Sequence, residues 1–403
     1  MSRKKIRRTS IKKIVVKPLN APNGKHLEGK SRISTSRTIK RLDVPSKKII
    51  VTPKLYLSNE DFSNSLKSNK EKTSFFKELD FYALNEFNKI KGKGLPIVNM
   101  VFHGHWGWVF SKMVENYKKH LDSCYIISSV NPIAGCDVYQ YWRPAAKYMQ
   151  AMIRQYPPSH HFLSKGVHMI HDSPHDRFRA NTPFRQNSIS VFHSILCTSL
   201  EQFNYYKKFK KNAKLWYTPL GIDNDIVKKE KINKKSKIKL GFVGRLYSDK
   251  IKGEDELIKL AKLLSNDKFE FVILSPNAQS YINKLKDELK FKVYTTTDGS
   301  FQDMYKKIDV TLILSKHEGT PLPLIESIGF GNYVLANPVG EVPVILKDNH
   351  IIKSIKDLTN KLNIIYNDRS ILEVFHKKSN ELIEGRTVKN FVTQTENIWK
   401  MIW

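Results

Sequence analysis

Apolar residues along the chain fall into short continuous runs, each followed by a stretch with helical spacing. The run "LPIVNMVF" (residues 95–102) is the first that reads as a buried strand; a Gly-containing turn and a helical pattern follow it, as at the start of a βα unit. "SCYIISSV", "GVHMIHD" and "NSISVFHSILCTS" supply three more strands, with a helix over 200–211 behind the last, and "NAKLWYTP" a short one. After a lysine-rich polar connector the alternation restarts. "KIKLGFVGR", "FEFVILS", "FKVYTTT", "VTLILS" and "YVLANP" read as strands, with helices over 255–264, 279–289 and 300–307 between them. Strands alternating with helices predict an α/β protein of two doubly wound parallel sheets.

Ahead of the first strand, "NEDFSNSLKSNKEKTSFFKELDFYALNEFNKIKGKG" has the spacing of one or two amphipathic helices closed by Gly92 and Gly94. The expected organisation is a basic arm at 1–54, disordered on its own, and a helical extension at 55–94. A first domain at 95–225 and a second at 226–385 follow, with a last helix at 386–403 that can cross back to the first domain.

Charge changes this picture most. The 403 residues carry a net charge of +31, and residues 1–54 hold 17 Lys and Arg against Glu28 and Asp43, or 17 − 2 = +15. An arm of that kind orders on a polyanion, nucleic acid or an anionic membrane surface. Cys124, Cys136 and Cys197 show neither disulfide nor metal-ligand spacing, which fits a reducing compartment. No apolar stretch approaches the ~18 residues of a membrane span, and the N-terminus lacks the apolar centre of a signal peptide.

The candidate chemistry lies at strand ends. In "GFVGRLYSDKIKG", Gly241 and Gly244 let the backbone approach a ligand, Arg245 can clamp phosphate oxygens, and Lys250 or Lys252 adds a point charge. In "SKHEGTPLPLIESIGFGNYVLANPVGEVP", Glu318 lies in a turn and Gly319, Thr320 and Pro321 can start a helix that carries Glu326. Carboxylates accept hydrogen bonds from vicinal hydroxyls, so sugar or ribose is the natural ligand. Glu318 as a capping acid and Glu326 as a solvated helix residue are the plainer alternatives.

These stretches resemble the Glu-x7-Glu signature and the Gly-Arg-Leu…Lys-Gly phosphate loop of retaining nucleotide-sugar glycosyltransferases of the GT-B fold, glycosyltransferase group 1 or GT4-like. "YTPLGIDNDI" resembles the family's interdomain segment, and "ILCTSLEQFNYY" the strand and turn before it. The resemblance implies two Rossmann-like domains facing a cleft, here with a basic N-terminal extension. It implies a nucleoside diphosphate sugar donor, UDP- or GDP-linked, and no required cofactor or metal. Glu326 would hold the ribose hydroxyls and Glu318 the donor sugar. Gly244, Arg245 and Lys250 or Lys252 would hold the diphosphate, and Gly319, Thr320 and Pro321 would shape the pocket. The sequence departs from the family twice: Lys250 keeps the spacing of the family's lysine while Lys252 keeps the Lys-Gly pair, and Leu220 replaces the usual Asn.

From the first domain, the resemblance places His171 of "HMIHDSPHD" near the reacting sugar. His103, His105 and Trp106 of "HGHWGW" and Trp142 and Arg143 of "YQYWRP" are the acceptor candidates, aromatic faces being suited to stacking on sugars or bases; Trp142 as a core residue is the alternative. Asp223–Asp225 matches an Asp-x-Asp pattern that binds a divalent cation in another glycosyltransferase fold, but it stands in the interdomain segment. The histidines at 160, 161, 168, 171 and 175 lack cysteines or a tight pair on one helix, so no metal is expected at either place. The expected function is sugar transfer to an acceptor hydroxyl, with a hydroxylated base in viral DNA as the favoured acceptor. The rival readings are a cell-surface glycan or lipopolysaccharide transferase at the inner membrane surface and a non-catalytic polyanion-binding module. The expected location is the cytoplasm, that of the host for a viral protein, or the inner face of the membrane. A dehydrogenase is disfavoured, since no strand ends in a full Gly-x-Gly-x-x-Gly turn.

Overall fold

Two parallel sheets organise the chain. The computed structural model describes residues 69–102, 108–142, 152, 154–157, 159–170, 191–208, 213–223, 226, 228–229, 236–275, 279–295, 298 and 300–403. The first sheet contains β1 (Ile97–Val101), β2 (Tyr125–Ser129), β3 (Val138–Trp142), β4 (Gly166–Ile170), β5 (Ser194–Cys197) and β6 (Lys214–Tyr217). Its order is β2-β1-β3-β4-β5-β6, and every pairing is parallel. Helices α1 (Asn69–Ile90), α2 (Trp108–His120), α3 (His161–Ser164) and α4 (Leu200–Tyr206) accompany it.

The second sheet runs β11-β10-β7-β8-β9 and is also wholly parallel. Its strands are β7 (Ile238–Val243), β8 (Phe269–Leu274), β9 (Val293–Thr295), β10 (Val310–Ile313) and β11 (Tyr333–Ala336). Between them lie α5 (Glu254–Ala261), α6 (Gln279–Leu289), α7 (Phe301–Lys307) and α8 (Leu322–Phe330). The short α9 (Val342–Ile345), then α10 (Ile355–Asn367), α11 (Ser370–Leu382) and α12 (Val388–Trp399) complete the chain. Local chemistry sets several helix starts. Acids Glu254, Asp255 and Glu256 complement the N-terminal dipole of α5, while Ser354 and Thr387 cap α10 and α12 through Asp357 N and Asn390 N, each at 3.1 Å.

One face of the first sheet is covered by the helix that precedes it and the other by the last helix of the chain. On one face Phe87 of α1 packs with Ile97, Val101, Tyr139 and Tyr141. Asp80 of α1 accepts from Val130 N at 2.6 Å and from Asn131 Nδ2 at 2.8 Å, so the helical extension is part of this domain's core. On the other face α12 crosses back. Trp399 lies 5.1 Å from the Tyr117 ring and donates from Nε1 to Gln140 Oε1 at 3.0 Å, and Tyr117 donates to Thr395 Oγ1 at 3.2 Å.

Strand β3 is not among the strands read from the sequence. Its five residues are buried in the middle of the sheet. Trp142 is fully buried, stacked 5.8 Å from Phe102, with Tyr117 edge-on at 6.2 Å and its Nε1 directed at Met100 Sδ at 3.3 Å. Its ring faces are taken up by the core, which corrects the reading of Trp142 as an acceptor platform.

Two chain crossings run side by side between the sheets. Ile222, in the outgoing connector, pairs with Thr387 in the returning segment; Ile222 N donates to Arg386 O at 3.0 Å and Val388 N to Ile222 O at 2.9 Å. Gly221 makes this approach feasible, because a Cβ there would collide with the backbone of Thr387. Among the described residues no helix is long and apolar enough to cross a membrane.

Candidate active site

Ligands of doubly wound sheets sit outside the carboxyl ends of the strands, where the strand order reverses. In the second sheet that point lies between β7 and β10, and the segments leaving these strands carry the Arg245 loop and the Glu318 loop. In the first sheet it lies between β1 and β3. The segments leaving those two strands contain His103, His105, Trp106 and Arg143, which lie outside the described residues, as does His171 after β4.

The loop after β7 begins at Gly244 and exposes Arg245. It then turns tightly: Lys250 N donates to Tyr247 O at 3.0 Å, and Lys250 takes a left-handed conformation with φ 53°. Glu254 at the start of α5 fastens the loop by accepting from Tyr247 N at 2.8 Å. The result separates the two candidate lysines. Lys250 is exposed, whereas Lys252 turns inward and forms an ion pair with Glu318 Oε1, to which Ser315 Oγ also donates at 2.7 Å. Glu318 is therefore an oriented, half-buried carboxylate and not a cap.

Glu326 stands in the second turn of α8, whose N-cap is Pro321. It is 8% exposed, so it is not a solvated helix residue. Tyr305 of α7 donates to its Oε2 at 2.9 Å. Burial, reinforced by the Glu326 charge, pushes the Tyr305 phenol well above its usual range, which keeps it a hydrogen-bond donor. Leu322 and Glu326, one turn apart, line a recess between the domains together with Leu220, Asp223, Met113 and Phe391.

The turn between the glutamates is braced from the other domain. Thr320 Oγ1 donates to Thr198 O, past the end of β5, at 2.5 Å, and the carbonyl of Gly319 accepts from Glu341 N at 3.1 Å. The Thr320 hydroxyl thus holds the two domains together. Residues that follow β5 and β6 meet residues that follow β10 and β11, so the carboxyl edges of the two sheets flank one seam. Tyr305, Glu341, Arg386 and Tyr217 had no part in the sequence reading. Tyr305 and Glu326 are 21 positions apart, and Tyr217 and Glu341 124 apart, with no shared motif to link them.

Two doubly wound domains with their carboxyl edges on a common seam define the GT-B fold. Solved structures of that fold superpose on this one: sucrose-phosphate synthase from Thermosynechococcus elongatus has a TM-score of 0.59 at 12% identity, over 76% of this chain and 98% of the other. Anabaena HepE in complex with UDP-glucose has a TM-score of 0.59 at 12% identity, over 76% and 100%. Residues 223–384 match the family described as glycosyl transferases group 1. The chain therefore has the GT-B fold, and its second domain matches the group 1 glycosyltransferase family. A curated relative from Klebsiella pneumoniae, an uncharacterized 41.2 kDa protein in a cps region, is 28% identical over 146 residues; the match spans 34% of this chain and 40% of that protein.

Proposed function

We propose that the protein transfers a sugar, with retention, from a nucleoside diphosphate sugar to a hydroxyl on a polyanionic acceptor. The observation that carries the donor half is the Lys252–Glu318–Ser315 cluster, set beside Gly244 and Arg245 at the switch point of the second sheet. Arg245 and Lys252 neutralise the departing diphosphate, Glu318 accepts from hydroxyls of the transferred sugar, and Glu326, oriented by Tyr305, accepts from the ribose. His171, outside the described residues, is the candidate that the family resemblance offers for contact with the reacting sugar. A bound diphosphate competes with Glu318 for Lys252, so donor binding and release of Glu318 toward the sugar are one event. The UDP-glucose complex of Anabaena HepE supports UDP over GDP as the carrier.

The acceptor half rests on charge. A net +31, with +15 in residues 1–54, favours a polymer of phosphates, and a hydroxylated base in DNA is the acceptor that combines a target hydroxyl with that backbone. Such an enzyme acts in a cytoplasm. The second reading, a lipid-linked or cell-surface glycan acceptor at the inner membrane face, draws on the same charge, which also binds anionic headgroups.

Incubating the protein with UDP- and GDP-sugars, and with hydroxymethylated DNA or anionic lipid acceptors, tests both halves. Transfer to DNA that weakens steeply with salt and on deletion of residues 1–54 is expected. Transfer only to lipid acceptors replaces the first reading with the second. Polyanion binding without sugar transfer from any donor makes the protein a binding module.

A further inference from the structure

Glu341 is the most completely engaged charged side chain in the seam. Its carboxylate is 0% exposed. Oε1 accepts from Leu200 N, the first residue of α4, at 2.5 Å; Oε2 accepts from Tyr217 OH at 2.8 Å and from Arg386 Nη2 at 2.8 Å. Arg386 Nη2 also donates to Tyr217 OH at 3.2 Å, which closes a triangle of acid, phenol and guanidinium. Tyr217, its hydroxyl pushed up to about 12 by burial and by the Glu341 charge, stays protonated at any working pH.

The four residues come from four places that a sugar transferase must keep in register. Leu200 and Tyr217 follow or end strands of the first sheet, at its carboxyl edge. Arg386 sits in the returning chain crossing, where its carbonyl accepts from Ile222 N of the outgoing one. Glu341 itself is fixed to the donor loop: its N–H donates to Gly319 O, and Gly340 before it packs so close that a Cβ there would collide with the Gly319 carbonyl. Gly340 N also donates to Glu201 Oε2 at 3.1 Å. A shift of the first domain against the second must therefore pull on Gly319, the residue after Glu318.

We infer that Glu341 is a positioning residue that couples the closure of the two domains to the geometry of the Glu318–Thr320 donor loop. The inference rests on the proposed sugar transfer for its catalytic consequence, and on the contacts alone for its mechanical one. A buried acid held by a backbone N–H, a phenol and a guanidinium is directional, and it keeps all three partners only while both domains and both crossings hold this arrangement. The donor itself is held mainly by the second domain, so loosening this joint leaves nucleotide affinity in place while the sugar is misaligned with the acceptor side.

The test uses the full chain with Glu341→Gln, which keeps the shape and loses the charge, and Tyr217→Phe, which removes a single hydroxyl. A fluorophore pair at Lys119→Cys and Lys259→Cys, both exposed positions on different domains, reports closure; the native cysteines are buried. With Glu341→Gln, UDP affinity is expected to stay within about threefold of the parent, kcat for sugar transfer to fall at least tenfold, and the interdomain distance distribution to broaden. Tyr217→Phe is expected to give the same pattern at smaller amplitude. An unchanged kcat and distance distribution in Glu341→Gln overturns the inference, as does a loss of UDP affinity and melting temperature in proportion to kcat, the signature of a merely structural role. Absence of transfer by the parent protein itself removes the proposed function, and the distance measurement then decides the mechanical coupling alone.

Discussion

Lys252 and Glu318 are paired across the loops that follow β7 and β10, so the cation and the anion of the proposed donor site neutralise each other. Replacing Lys252 with Met removes a charge from the diphosphate and leaves Glu318 to repel it. A fall of about 100-fold in kcat/KM for sugar transfer is expected, the usual size for losing one preorganised charge-stabilising group. Lys250→Met, at an exposed position, should stay within about threefold of the parent. Equal losses for the two would mean that the loop rearranges on donor binding.

Tyr305 offers a gentler probe of the same site. Its ring stacks on Phe330 at 4.9 Å and would remain in Tyr305→Phe, while the hydroxyl that orients Glu326 would go. An oriented carboxylate that loses a buried donor forfeits about 1–3 kcal/mol. Where that cost falls on the nucleotide complex, titration calorimetry with UDP should show an affinity lower by roughly 5- to 150-fold. Unchanged affinity would separate Glu326 from the nucleotide.

Trp142→Ala should cost about 3–5 kcal/mol of stability, as removal of a fully buried Trp usually does, and Trp142→Phe less. At temperatures where both variants remain folded, the KM for acceptor should match that of the parent. A changed acceptor KM with a normal melting curve would return Trp142 to the acceptor surface.

The joint between α12 and the first domain should be sensitive to acid. Burial raises the Glu396 carboxyl, but Ser123 and Lys400, the latter at 2.7 Å, outweigh it and leave its pKa below the usual value. A depressed carboxyl contributes stability above the unfolded pKa, about 4.3, and loses it as pH falls through the lower folded value. Melting temperature should therefore drop more steeply below pH ~4 in the parent than in Glu396→Gln. Parallel curves would show that the pair contributes nothing.

The second sheet was legible because each of its strands is a short, mostly apolar run closed by a turn, and each loop that matters follows directly from a strand. "GFVGRLYSDKIKG" and "SKHEGTPLPLIE" are local patterns, and Glu318, Glu326, Arg245 and the alternative of Lys250 or Lys252 could be named from them. β3 was not legible: Val-Tyr-Gln-Tyr-Trp has a polar centre, Gln140, whose amide oxygen accepts from Trp399 Nε1, 259 positions later. Without that partner the run resembles a surface loop rich in aromatics, although its position between the Gly-Cys-Asp turn and the Arg-Pro pair is a strand signal. The pair α10 and α11 was passed over although Leu358, Leu362 and Ile365 recur at helical spacing in α10. Glu341 was hidden because its meaning lies in three partners drawn from distant segments.

The return of α12 to the first sheet also has a consequence for how the molecule is made. β1 to β6 leave the ribosome long before Trp399, yet Tyr117 and Gln140 need the Trp399 ring and its N–H to complete their surroundings. Until residues 388–399 emerge, one face of the early domain stays open to water and to other chains, so the domain synthesised first is the last to be sealed. Its exposure during synthesis, more than the stability of the finished fold, sets where aggregation competes with assembly.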